Sequence, residues 1–170
     1  MSTPATFQEA IATSAEWIRL WDAEELSDEV LAELVGKLVT ERDGARGFFV
    51  AALTGDSPLM DRLPEALILQ LRQVGDGIVD LTARNLAMST AMSIQHQRDN
   101  SQSLREGSLT VQRRSKELLS QLEPELVKER LTRMLLGLEG KSEDMNFFER
   151  WGYDQEQKDA IKEILLSVAD

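Results

Sequence analysis

Residues 67–92 read LILQLRQVGDGIVDLTARNLAMSTAM. Within this stretch Leu67, Leu71, Val74, Ile78, Leu81, Asn85, Met88 and Met92 recur at alternating spacings of four and three. Side chains at those spacings stack on one face of an α-helix, whereas a half-buried strand alternates every second residue. The stripe crosses Gly75 and Gly77, each costing roughly 1 kcal/mol in a helix interior relative to alanine. Because the phase survives both glycines, the spacing favours one long helix from Pro64 to about Arg98, bent at Gly75. A break at the two glycines is the competing reading.

The same grammar extends in both directions. Beyond the polar link Asp99-Asn100-Ser101, the positions Leu104, Ser108, Val111, Ser115, Leu118 and Leu122 repeat the four-and-three pattern. A short connection makes this second helix an antiparallel neighbour of the first. Pro124 opens a further helix with Val127, Leu131, Met134, Leu135 and Leu138 on its face, and Gly140 ends it. Ser142 caps a short helix holding Phe147, Phe148 and Trp151, which Gly152 stops. Asp154 and Gln157 form the opening signal of a last helix that buries Ile161, Ile164, Leu165 and Val168.

Towards the N-terminus, Thr6-Phe7-Gln8-Glu9 has the form of a capping box, followed by the stripe Phe7, Ile11, Ser14, Ile18 and Trp21. Ser27, with Asp28 and Glu29 after it, starts a second helix bearing Val30, Leu31, Leu34, Val35 and Leu38, and Asp43-Gly44 is read as its end. Residues 47–53, GFFVAAL, fit a buried strand or a buried helix. No second strand is available to pair with them, so helix is expected. Ser57-Pro58 and Leu63-Pro64 read as two helix starts with a short turn between them. The expectation is an all-α protein: residues 1–170 as a single helical bundle of six to eight helices, with a long central helix pair.

Composition closes off several chemistries. The chain has 170 residues, no cysteine and one histidine, His96. Disulfides, thiolate metal sites and a cysteine nucleophile are excluded, as is any site needing two imidazoles from one chain. Residue 93, three before His96, is serine, so the Glu-x-x-His pairs of helical di-iron proteins are absent. No glycine-rich phosphate loop or nucleophile-elbow sequence is present, and Gly75-Asp76-Gly77 follows no strand. No catalytic residue, cofactor or metal site is assigned. The apolar run Phe48 to Leu53 is too short to span a membrane. Met1 to Thr6 carry neither a basic start nor an apolar run, so no signal peptide is expected and a cytoplasmic protein is the default.

The net charge is −11, which repels phosphate backbones and anionic membranes on average, so neither nucleic acid nor membrane is an expected partner. Six acids, Asp22, Glu24, Glu25, Asp28, Glu29 and Glu33, occur with no base among them. They read as a solvated helix face or a docking surface for a basic partner. Basic density peaks around Arg105, Arg113, Arg114 and Lys116. Arg42 and Arg46 flank Asp43-Gly44-Ala45 in what reads as a glycine-containing turn, a place that can hold an anion.

Two groups carry the candidate binding residues. Asp80, Arg84 and Asn85 place polar groups in or beside the central seam, where they could bind a polar ligand, and His96 lies near the end of the same helix. Asp80 with Arg84 is equally a four-apart ion pair, and a single seam asparagine can set partner number. Phe147, Phe148, Trp151 and Tyr153 form core if buried and a partner-binding anchor if exposed, since aromatic residues dominate interface hot spots. The function expected by elimination is a non-enzymatic protein–protein interaction module: an adaptor, regulator or assembly factor. The alternatives are a small-molecule sensor with a pocket between the central helices and a magnesium-dependent enzyme using acidic residues. A homodimer is expected, because the 67–92 seam is longer than its partner helix can cover.

Overall fold

The computed structural model describes residues 3–169, and among them it is all-helical, with no strand. The helices are α1 (Phe7–Asp22), α2 (Asp28–Leu38), α3 (Arg42–Thr54), a 3-10 turn (Pro58–Asp61), α4 (Glu65–Val74), α5 (Asp76–Arg98), α6 (Gln102–Gln121), α7 (Pro124–Leu138), α8 (Asp144–Trp151) and α9 (Gln155–Ala169). They group into two compact units, Met1–Leu81 and Thr82–Asp170.

In the first unit the capping box forms as read. Glu9 N–H donates to Thr6 Oγ1 at 3.1 Å, and Thr6 N–H donates to Glu9 Oε1 at 3.0 Å. These bonds hold the Glu9 carboxyl below its ordinary range, the Thr6 backbone bond being the larger cause. Ser27 caps α2 by accepting from Val30 N–H at 3.2 Å. Residues 47–53 lie inside α3, with Phe48, Phe49, Ala52 and Leu53 buried. The two rings meet edge to face at 5.0 Å.

Two glycine readings change. Asp43-Gly44 does not end α2, which stops at Leu38; both residues belong to the first turn of α3. Arg42 and Arg46 are therefore on a helix, not in a turn. Arg46 is 3.3 Å from Asp43 and lies over the Phe7 ring at 4.5 Å. Gly47 faces α1: a Cβ there would collide with the Ala10 methyl and lie 2.9 Å from the Phe7 carbonyl oxygen. The absent side chain is what lets α1 and α3 pack this closely.

The long helix breaks at Gly75. That residue has φ +81°, a conformation that costs glycine little and other residues much. Gly77 sits in the first turn of α5 with open space around it. The break also shifts the phase. Leu67, Leu71 and Ile78 are buried as the stripe demands, but the next fully buried positions on α5 are Val79, Thr82, Ala83, Leu86, Ala87 and Thr90. Asn85 and Met88 are half-buried, and Met92 is 38% exposed.

In the second unit α5 pairs strongly with α6, as expected of a central pair. Beside Ala83, Leu86, Ala87 and Ala91, the buried α5 residues include Ser89, Thr90 and Ser93, whose hydroxyls fold back on their own helix. Thr90 Oγ1 donates to Leu86 O at 2.8 Å and Ser93 Oγ to Thr90 O at 2.8 Å. Gln112 of α6 donates to Thr90 Oγ1 at 2.9 Å. At the start of α9, Asp154 and Gln157 exchange reciprocal capping bonds of 3.0 Å. The Gln157 amide then donates to Ala91 O of α5 at 3.1 Å, so one buried side chain caps α9 and ties it to α5. Arg98 completes the anchor, donating to Asp154 at 2.6 Å and Glu156 at 2.7 Å. The Arg98 bond is the largest reason the Asp154 carboxyl lies below its usual range.

The corner between α7 and α8 rests on two features. Gly137 admits the Asp144 backbone, since a Cβ at 137 would be 2.5 Å from Asp144 Cβ. Arg130 then holds Asp144 with two parallel bonds of 2.7 Å. Gly152, with φ +65°, ends α8 in a left-handed cap.

Candidate functional site

The four polar candidates all lie on α5, with Asp80, Arg84 and Asn85 close together and His96 further along. Asp80 falls in the first unit and Arg84, Asn85 and His96 in the second. Arg84 and His96 are twelve residues apart, roughly 18 Å along a helix axis at 1.5 Å per residue, so they do not converge on one small ligand. Asp80 and Arg84 are half-buried, and each is engaged in interactions within the fold. His96 is half-buried in the last turn of α5, and its carbonyl accepts from Ser101 N–H at 2.9 Å.

The structure joins one member of this group to the aromatic group instead. The Arg84 guanidinium lies over the Phe147 ring, 5.4 Å from its centre. Phe147 meets Phe148 edge to face at 5.4 Å and Tyr153 at 6.5 Å. Phe148 and Tyr153 are buried and Phe147 is half-buried, so these three rings pack within the second unit. Burial pushes the Tyr153 phenol up to about 12. Trp151 stands apart: it is 52% exposed, one residue before the glycine that ends α8.

The acidic segment is partly engaged as well. Asp22 accepts from the Ser57 hydroxyl at 3.0 Å, and Asp28 from the Trp21 indole at 2.7 Å. Glu33 is 3.4 Å from Lys37. Among the described residues no group of three or more histidine, aspartate or glutamate side chains is arranged to hold a metal ion. None of the helices among the described residues is long and apolar enough to cross a membrane.

A surface groove between α7 and α9 was not anticipated. It has a volume of about 330 Å³ and is lined by Leu135, Leu138, Glu139, Gln155, Lys158, Asp159, Lys162 and Leu166. Leu135 and Leu138 belong to the apolar face read for α7, yet they are only half-buried; Val127, Leu131 and Met134 fill the core. Leu166 is 42% exposed. On α9, Lys158, Lys162 and Leu166 follow one another at four-residue spacing, which sets them along one edge of the groove. That spacing, in a chain of net charge −11, is the signal in the sequence that could have found the site.

These features define an all-helical protein with an open, apolar-floored groove on its second unit. The chain belongs to the family described as uncharacterised conserved protein UCP020893, whose family model matches residues 6–168. No curated protein and no solved structure matches it.

Proposed function

We propose that the protein is a cytoplasmic helical interaction module, an adaptor, regulator or assembly factor, that holds another protein through its second unit. The observation that carries this reading is the groove between α7 and α9. Its lining places Leu135, Leu138 and Leu166 beside charged residues of both signs, the apolar core and polar rim of a protein interface. The exposed indole of Trp151 in the same unit supplies a further aromatic contact of the kind that dominates interface energies. A small-molecule sensor calls for an enclosed cavity with converging polar groups; most residues lining this groove are open to solvent. Self-association through α5 belongs to the same reading, because solvent reaches Met88 and Met92 beside Asn85.

The test compares the tagged wild-type chain with Leu166→Glu, expressed at equal levels in the native host. Proteins retained by each are identified by mass spectrometry. A protein held by the wild type and lost from the variant supports the reading. Identical sets of retained proteins would refute it.

A further inference from the structure

We propose that the groove between α7 and α9 receives an amphipathic helix of a partner protein, one carrying two carboxylates four residues apart beside its apolar face. This deepens the interaction-module reading and rests on it. The apolar floor of Leu135, Leu138 and Leu166 has room for a few aliphatic side chains. A groove bounded by two helices takes a third through apolar anchors spaced three and four residues apart.

The charge of the occupant follows from which groups the fold leaves unmatched. Of the two carboxylates in the groove, Glu139 has a cationic partner and Asp159 a neutral one. Asp159 accepts from Gln155 Nε2 at 2.8 Å, and Glu139 is 3.4 Å from Lys141. Among the described residues neither Lys158 nor Lys162 has an ion-pair partner. The two lysines lie four apart on α9, separated by roughly 6 Å along the axis. Two carboxylates four apart on an aligned helix have the same separation and project from one face. The site thus offers two unpaired lysines, against one carboxylate without a cationic partner, over an apolar floor on a chain whose net charge is −11.

Two synthetic helical peptides of about 14 residues test this. Both carry leucines along one face; one carries glutamates four apart beside them and the other carries lysines there. Binding to the full chain is read by fluorescence anisotropy, with circular dichroism to confirm that each protein variant folds. The glutamate peptide is expected to bind roughly tenfold more tightly than the lysine peptide, since two rim ion pairs replace two repulsions. The order should reverse on Lys158→Glu/Lys162→Glu, and Leu166→Glu should weaken both. No binding of either peptide up to millimolar concentration would overturn the proposal. So would a preference that charge reversal leaves unchanged. Sedimentation of the protein alone supplies another decisive outcome: a mass above the monomer that Leu166→Glu abolishes would make a second copy the occupant and overturn the acidic-helix assignment. If peptide preference fails while a host protein is still lost on Leu166→Glu, the interface stands and its acidic partner does not.

Discussion

The ion pair between Arg130 and Asp144 gives the sharpest energetic prediction. Their side chains are 6% and 12% exposed, and both bonds are 2.7 Å. Asp144 also sits in the first turn of α8, where the helix dipole favours a carboxylate. Asp144→Ala would leave the guanidinium in a site water barely reaches. Removing one partner of a buried pair costs about 3–5 kcal/mol. Asp144 keeps some contact with solvent, which places the expected loss at the lower end, about 3 kcal/mol. Replacing both residues, as Arg130→Met/Asp144→Leu, removes the charge and its partner together and should cost about 1 kcal/mol or less. Urea unfolding in a Trp17→Phe/Trp21→Phe background makes Trp151 the reporter for the unit that holds the pair. A single-variant loss under 1 kcal/mol, or a double variant no better than Asp144→Ala, would refute the argument.

Tyr153 is the only tyrosine, so tyrosinate absorbance reads one site. Its phenol should titrate near pH 12 in the folded chain and about 10 in urea; its contribution to stability is complete below about pH 10 and lost as pH rises through the folded value. A native midpoint near 10 would contradict its burial. Gly47→Ala should destabilise by about 1–3 kcal/mol because its methyl meets α1, while Gly77→Ala, with open space around it, should stabilise by about 0.5–1 kcal/mol; thermal melts of the two variants showing the same shift would remove the close-approach argument. If α5 mediates self-association, sedimentation equilibrium at micromolar concentration should show a dimer that Met92→Glu dissociates, and a monomer at all concentrations would end that reading.

Much of the fold was legible because each helix announces itself locally. The Thr6/Glu9 and Asp154/Gln157 boxes formed at the residues read for them, and Pro124 and Gly152 bound their helices as expected. These signals depend on neighbours three or four residues away, so they need no knowledge of tertiary packing. The misread boundaries share the opposite property. Gly44 and Gly47 lie inside α3, where they admit the Leu38 carbonyl and α1. A glycine needed for close approach has the same letter as one needed for a turn. Only the packing distinguishes them.

The phase of α5 shows why the candidate site was harder to read than the fold. A stripe drawn through Gly75 implies one continuous helix, bent there, and every later position inherits that phase. At φ +81° the helix restarts, and the buried face becomes Val79, Ala83, Leu86 and Thr90. Hydropathy alone points the other way, because Met88 and Met92 are more apolar than Thr90 or Ser93. The small hydroxyl residues can occupy the core because their own helix's carbonyls accept their protons. Methionine is thereby left nearer the surface, where a flexible apolar side chain suits an adaptable contact. The same reasoning separates Leu135 and Leu138 from Met134. All three fit an apolar helix face, yet only the packing of α9 decides which become core and which line the groove. A binding surface made of residues that resemble core is visible only once the true core has been filled.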